Sequence, residues 1–366
     1  MKHIQQDLYQ RLKKLPIFAI ILVSIVCSYG LIILFSASGN NFYPYVYKQL
    51  AAFLIFMPLA IFIALVDIRI IFALSYPLYF VSLISLIIVE FFGKSAMGAT
   101  RWLDLGFISI QPSEIIKISL ILMLARYFHS LEGKLTLTSL YLPVLASLLP
   151  ILLVIKQPDL GTAIITLIIV GSMFFAAGVK MIYFLITGSV TLISMPVIFT
   201  SLHEYQKNRI LTFLDPERDP LGSGYNIIQS KIAIGSGGFW GKGLSNGTQS
   251  HLKFLPEYQT DFIFSFLMEE LGFVGGIILL ILYSLILLQF VYIAVNCRSI
   301  FASLVSLGIS VFFVSHIFIN IAMVMGMVPV VGVPLPFISY GRTMLCSMLI
   351  GFGLVMNSYI NQQKRL

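Results

Sequence analysis

Acidic residues are scarce in this chain, fifteen in 366 residues, and three of them stand where a polar turn gives way to an apolar run. They are Glu114 in IQPSEIIKISL, Asp159 in KQPDLGTAI and Asp261 in LPEYQTDFIFSF. A carboxylate at a helix start is held by free backbone N–H groups and the positive end of the dipole. The bland reading makes two of these positions caps, Asp159 or Thr162 for one helix and Thr260 or Asp261 for another, with Pro256 ending the segment before it, while Glu114 lies in the first turn of a helix opened by Pro112. The chemical alternative is a general base, since a carboxylate at the rim of an apolar medium can take a proton from an attacking hydroxyl. Asp261 is the residue expected to do so. An ordinary Asp, near pKa 3.9, is a weak base, and partial desolvation would raise it.

Glu114 and Lys117 are three residues apart and share a helix face. They form either a local ion pair that eases the helix into an apolar medium or part of the lining of a polar cavity. Glu269 and Glu270 lie about 12 Å beyond Asp261 at ~1.5 Å per residue, too deep for caps. They require donors or protonation, and the 3.6-residue period sends Glu270 away from the face of Ser265, Met268 and Gly272. Arg209, Arg218, Lys231, Lys242 and Lys253 are spread along the segment between about 201 and 261. Such cations can neutralise a diphosphate, and attraction to anionic headgroups explains them equally well. Its glycines, Gly235 to Gly247, include no GxxxxGK[ST] and so make no P-loop. Tyr225 to Ile234 reads as a short amphipathic helix. MGMVPVVGVPLPFISYGR reads as a bent segment that must be covered by protein, and Asn320 as a buried amide bonding across helices.

The elements that must position these groups follow from composition. Hydrophobic residues make up 58% and charged residues 10%, where soluble domains carry roughly 25% charged. Apolar runs near 15–35, 47–66, 70–92, 113–128, 139–156, 162–178, 181–200, 262–295, 300–326 and 341–360 are long enough, or nearly so, to cross a bilayer. The fold class is an all-α integral membrane protein of about ten transmembrane helices with one long extracytoplasmic loop, about 201–261, in a single polytopic domain, 1–366. The first run is too long for a signal h-region and stays as a span. With the N-terminus inside, short loops and tails hold eleven Lys and Arg inside against six outside, as the positive-inside rule prefers. The formal charge of +8 is explained by that rule, and no basic run interleaved with aromatics points to nucleic acid. Trp102 and Phe107 read as interface anchors. Cys27, Cys297 and Cys346 lack the spacing of a disulfide framework or zinc site.

GATRWLDLGFISIQPSEIIKI, QPDLGTA, FLDPERDPLGSGYNIIQSKIAIGSGGFWGKGLSNGTQSHLKFLPEYQTDFIF and PVVGVPLPFISYG together resemble the SEDS family of bacterial shape, elongation, division and sporulation proteins. Lys231 in QSKIA, GKG at 241–243 and GTQS at 247–250 tip the likeness toward its elongation branch rather than its division branch. The resemblance implies a peptidoglycan glycosyltransferase that polymerises lipid II outside the cytoplasmic membrane, by inverting transfer. It further implies a class B penicillin-binding transpeptidase and other elongation-complex membrane proteins as partners. The family's essential aspartate falls on Asp261, and its polar cavity on Glu114, Lys117 and Asp159. Arg101, Arg209, Lys231, Lys242, Glu257, Thr260 and Ser339 are expected to contact substrate. A divalent cation, Mg or Mn, is a possible companion of the diphosphate; no metal ligands are assigned. Arg342, Thr343 and Met344 depart from the small residues the family commonly has after SYG, and Tyr258 replaces a residue often smaller or charged. A lipid II flippase or a non-enzymatic scaffold are the competing readings. The flippase would need polar groups on both leaflets, whereas the inside loops are short and nearly featureless.

Overall fold

The computed structural model describes residues 9–96, 99–104, 109–131, 135–201, 204–219, 222–248, 257–364 and 366. Ten long helices stand where the apolar runs predicted them: α1 Ile17–Ala37, α2 Tyr45–Leu65, α3 Ile68–Phe92, α4 Pro112–Ser130, α5 Leu137–Lys156, α6 Leu160–Ala176, α7 Met181–Ser201, α10 Ile263–Asn296, α11 Ile300–Val324 and α12 Arg342–Ile360. Seven of them are long and apolar enough to cross a membrane on those grounds alone. Between α7 and α10 run two shorter helices, α8 Glu204–Leu214 and α9 Ser223–Gly237, joined through a 3-10 turn at Pro216–Arg218. The second contains the predicted amphipathic segment.

One departure from an all-α chain lies between α3 and α4. Three short strands, β1 Lys94–Ala96, β2 Ala99–Asp104 and β3 Ser109–Ile110, form an antiparallel sheet in the order β1-β2-β3. Trp102, read from sequence as an interface anchor, is a β2 residue opposite Lys94. Phe107 lies outside the described residues.

Helix α4 is the hub. Pro112 opens it, where a missing N–H costs nothing, and most of its side chains are buried against α3, α6, α11 and α12. A helix carrying Glu114, Lys117 and Arg126 fits the centre because only protein neighbours can satisfy charge at membrane depth. The opposite case is α7, which has no buried side chain among its described residues.

Helix α10 does not run as its unbroken apolar pattern predicts. Gly272 sits at φ +63, a left-handed conformation, and the helix breaks there. The freed carbonyls of Glu269 and Glu270 accept from the backbone N–H groups of Lys242 and Gly243 at 3.0 and 2.9 Å, while Phe273 N and Val274 N donate to Gly238 O and Phe239 O at 3.0 and 3.2 Å. The glycine segment after α9 thus completes the ladder, which is the condition for irregular backbone in an apolar setting.

Candidate active site

Neither Thr260 nor Asp261 caps α10, so the bland reading of this stretch fails. The cap position is Phe262, without a side-chain cap. The chain turns tightly just before it: Thr260 N and Phe262 N both donate to Glu257 O, at 3.1 and 3.3 Å, with Glu257 itself at φ +56. The Thr260 hydroxyl bends back to the Glu257 carboxylate at 2.9 Å. Asp261 is left outside the helix with its carboxyl committed to no donor among the described residues.

Its backbone, by contrast, is gripped from two sides. Asn320 Nδ2 on α11 donates to Asp261 O at 2.9 Å and to Val333 O at 2.6 Å. The segment between α11 and α12 supplies the other grip, with Ser339 Oγ donating to Thr260 O at 2.7 Å and Tyr340 N to Gln259 O at 2.9 Å. Gln49 of α2 secures that segment in turn by donating to Ser339 O at 3.0 Å. The segment is largely buried from Val331 to Ser339, so protein covers its irregular backbone as expected. At Gly332, φ +70, an added Cβ would lie 3.4 Å from Asp261 Oδ2, so the carboxyl rests against bare backbone.

Charge surrounds this half-buried group. Burial, then the neighbouring Glu257 carboxylate and the more minor Asp159, push the Asp261 pKa up to about 6 against the pull of Arg209 and Arg101. Asp159 does cap α6, accepting from Thr162 N at 3.2 Å and Thr162 Oγ1 at 3.0 Å. It also lies 3.7 Å from Arg101 and accepts from Gln111 Nε2 at 3.4 Å. Arg101, on β2, is anchored by Gln157 O at 3.3 Å and by Pro158 O. Arg209, on α8, donates to Val330 O at 2.8 Å. The strand, the α6 cap and the α8 guanidinium therefore meet around one carboxyl.

Other predicted residues are placed elsewhere. Lys242 donates to Glu269 at 2.8 Å and to Thr248 at 2.7 Å, and Glu269 also accepts from Thr248 N at 2.8 Å. Glu270 accepts from Ser36 Oγ at 2.6 Å and Ser245 N at 2.8 Å. Both acids thus meet the 242–248 segment, against the divergence that an unbroken helix implies. Lys231 packs beside Gly326, Ser339 has its hydroxyl committed to backbone, and Arg218 forms an exposed pair with Asp215. Lys253 lies outside the described residues.

Glu114 and Lys117 do pair, at 2.7 Å and fully buried. Two partners escaped the sequence reading: Ser347 Oγ of α12 donates to Glu114 at 3.1 Å, and His316 Nε2 of α11 lies 3.1 Å from Lys117 Nζ. The available signal was His316 standing four residues before Asn320, on the same face of α11. Among the described residues no three His, Cys, Asp or Glu side chains converge at metal-binding spacing. A divalent ion here would have to draw most of its oxygens from phosphate and water, as Mg²⁺ commonly does.

Residues 16–364 match the FtsW/RodA/SpoVE family, described as cell cycle proteins. The chain is 41% identical over 353 residues to the peptidoglycan glycosyltransferase MrdB of Escherichia coli K12, covering 95% of this chain and 94% of that one. It superposes with TM-score 0.83, at 32% identity and 96% and 99% coverage, on a chain from a structure described as structural coordination of polymerization and crosslinking by a peptidoglycan synthase complex. The rod shape determining protein RodA of Thermus thermophilus superposes with TM-score 0.72 at 28% identity, covering 96% of this chain and 98% of that one.

Proposed function

The chain belongs to the FtsW/RodA/SpoVE family, and from that premise we propose that it is the peptidoglycan glycosyltransferase that polymerises lipid II at the outer face of the cytoplasmic membrane during cell elongation. The observation that carries this reading is Asp261: backbone clamped by Asn320 and the 330–340 segment, carboxyl uncommitted and lifted to about 6. A general base works best when its pKa approaches the operating pH.

The sugar 4-hydroxyl of one lipid-linked disaccharide attacks the anomeric carbon of another. As that bond forms, Asp261 takes the hydroxyl proton, the bond to undecaprenyl diphosphate breaks, and the configuration inverts. Arg101 and Arg209, each fixed by backbone carbonyls and each close enough to act on Asp261 through space, supply positive charge toward the departing diphosphate. A divalent cation bound to that diphosphate would add further charge neutralisation. Asp159 orients Arg101 and tunes Asp261 through space.

The excess of Lys and Arg on the N-terminal side of the predicted topology supports cytoplasmic termini and an extracytoplasmic site. The likeness to a chain from a complex that couples polymerization to crosslinking supports a class B penicillin-binding transpeptidase as partner.

The decisive assay is strand synthesis from purified lipid II by full-length protein in proteoliposomes. Asp261→Asn is expected to lower the rate at least ~100-fold, the usual scale of a lost general base, while the variant keeps the parental chromatographic profile. A parental rate in that variant overturns the base assignment. Translocation of lipid II without polymerisation by the parental protein overturns the glycosyltransferase reading in favour of a flippase.

A further inference from the structure

The buried pair below the site has a geometry that limits what it can do. Lys117 Nζ has Glu114 Oε1 at 2.7 Å, His316 Nε2 at 3.1 Å and the Phe312 ring centroid at 4.9 Å. An ammonium has three protons, and these three neighbours give each a direction. Glu114 is equally committed, with its second oxygen accepting from Ser347 at 3.1 Å. Both charged side chains are buried, Lys117 completely. In this arrangement neither has an atom to offer a substrate.

His316 is the way out of the pair. Because an ammonium only donates, Nε2 must accept, and the ring proton then resides on Nδ1. Nδ1 lies 3.4 Å from Pro334 O, a carbonyl of the segment that grips Asp261. One turn further along α11, Asn320 holds the adjoining Val333 O and Asp261 O. The column Ser347, Glu114, Lys117, His316, Pro334, Val333, Asn320, Asp261 is continuous across five separate parts of the chain.

We propose that His316 is a positioning residue through which the buried Glu114–Lys117 pair sets the 330–340 segment, and with it the Asp261 backbone, rather than the pair contacting substrate directly. The proposal deepens the glycosyltransferase reading and rests on it for the activity arm of its test. A fixed imidazole is the economical choice here. It is rigid, accepts on one side and donates on the other, and spans the gap between an ammonium and a carbonyl that lysine alone does not bridge.

The test uses full-length protein in proteoliposomes carrying His316→Leu, His316→Gln, the charge-free pair Glu114→Gln with Lys117→Met, and the triple combination. Glutamine retains an acceptor for Lys117 and a donor for Pro334 O; leucine retains neither, yet leaves the ion pair intact. Two measurements are made. Amide hydrogen exchange over 328–341 and 257–262 reads the linkage without reference to catalysis. His316→Leu and the charge-free pair are expected to accelerate it at least ~10-fold in both stretches, corresponding to the loss of a buried hydrogen bond, and His316→Gln to leave it near parental. Lipid II polymerisation is expected to show kcat reduced ~10-fold or more by His316→Leu with KM little changed, rescue by glutamine, and no further loss in the triple variant. Unchanged exchange in folded His316→Leu overturns the proposal. So do losses that multiply in the triple variant, which would mean the pair acts independently of His316. Failure of the parental protein to polymerise lipid II would sink the functional reading while exchange still decides the linkage.

Discussion

Asp261 lies just before a helix and the Glu269–Glu270 pair about two turns into it, yet the protein treats them in opposite ways. The two glutamates are buried and answered by Lys242, Thr248, Ser245 and Ser36, which fastens a glycine-rich loop to a broken helix. Asp261 is held by its backbone, while its side chain is given like-charged neighbours and a bare glycine. Carboxylates used as fasteners are answered by several donors, most of them from the neighbouring loop; a carboxylate used for proton transfer is fixed everywhere except at the atom that must react. The distinction lies in partners as well as in burial, since both glutamates are fully enclosed and Asp261 only half so.

That contrast can be broken first at its hinge. Gly272→Val places a branched side chain at φ +63 and against the Gly241 backbone. We expect several kcal/mol of destabilisation, from strain of about 1–3 kcal/mol plus lost loop packing, visible as low yield and a large drop in Tm in detergent. Parental Tm would show the loop is not fastened there.

Lys242→Met tests the fastener itself. It removes the cation from a fully buried carboxylate while the Thr248 bonds remain, so a loss of about 2–4 kcal/mol is expected, near the lower range for a broken buried pair. Activity in folded protein should stay close to parental, since Lys242 is occupied away from Asp261.

Asp261→Asn should move stability the other way. A native pKa near 6 above an unfolded value near 3.8 means the folded chain binds the proton more tightly. Stability is therefore lost as pH rises from about 4 to 6, by at most about 3 kcal/mol at ~1.4 kcal/mol per pKa unit. The amide escapes this cost, so its Tm advantage should be present at pH 7 and vanish toward pH 4. An advantage that does not change with pH would mean Asp261 is not raised.

The smallest effect is expected from Glu257→Gln. Removing the repulsion of the Glu257 carboxylate, which acts beside burial, should lower the acidic midpoint of the pH–rate profile by less than ~1 unit. A midpoint that stays put would place the Glu257 charge outside the site.

Much of this was legible in the chain alone. Apolar runs marked all ten long helices because a lipid-facing helix must carry its own hydrophobicity. The acids at Glu114, Asp159 and Asp261 were visible because charge beside such runs is rare. The break at Gly272 was hidden, since its neighbours are as apolar as those of an intact helix and its hydrogen bonds come from residues 238–243. Partners were harder still: Ser36 reaches Glu270 across 234 positions and Ser347 reaches Glu114 across 233. A single sequence carries no periodicity that connects such pairs. The cap reading of Asp261 failed for a local reason, because the turn anchored on Glu257 O starts the helix one residue later.

Helix α7 stands apart from this dense wiring. With no buried side chain among its described residues, its resting place is decided by the surrounding lipid more than by the rest of the protein. Its 21 residues extend about 31 Å, roughly one hydrocarbon thickness. A membrane made thinner or thicker by its acyl chains would therefore tilt this helix before it disturbed any other, and would leave the chemistry at Asp261 to the nine that hold one another.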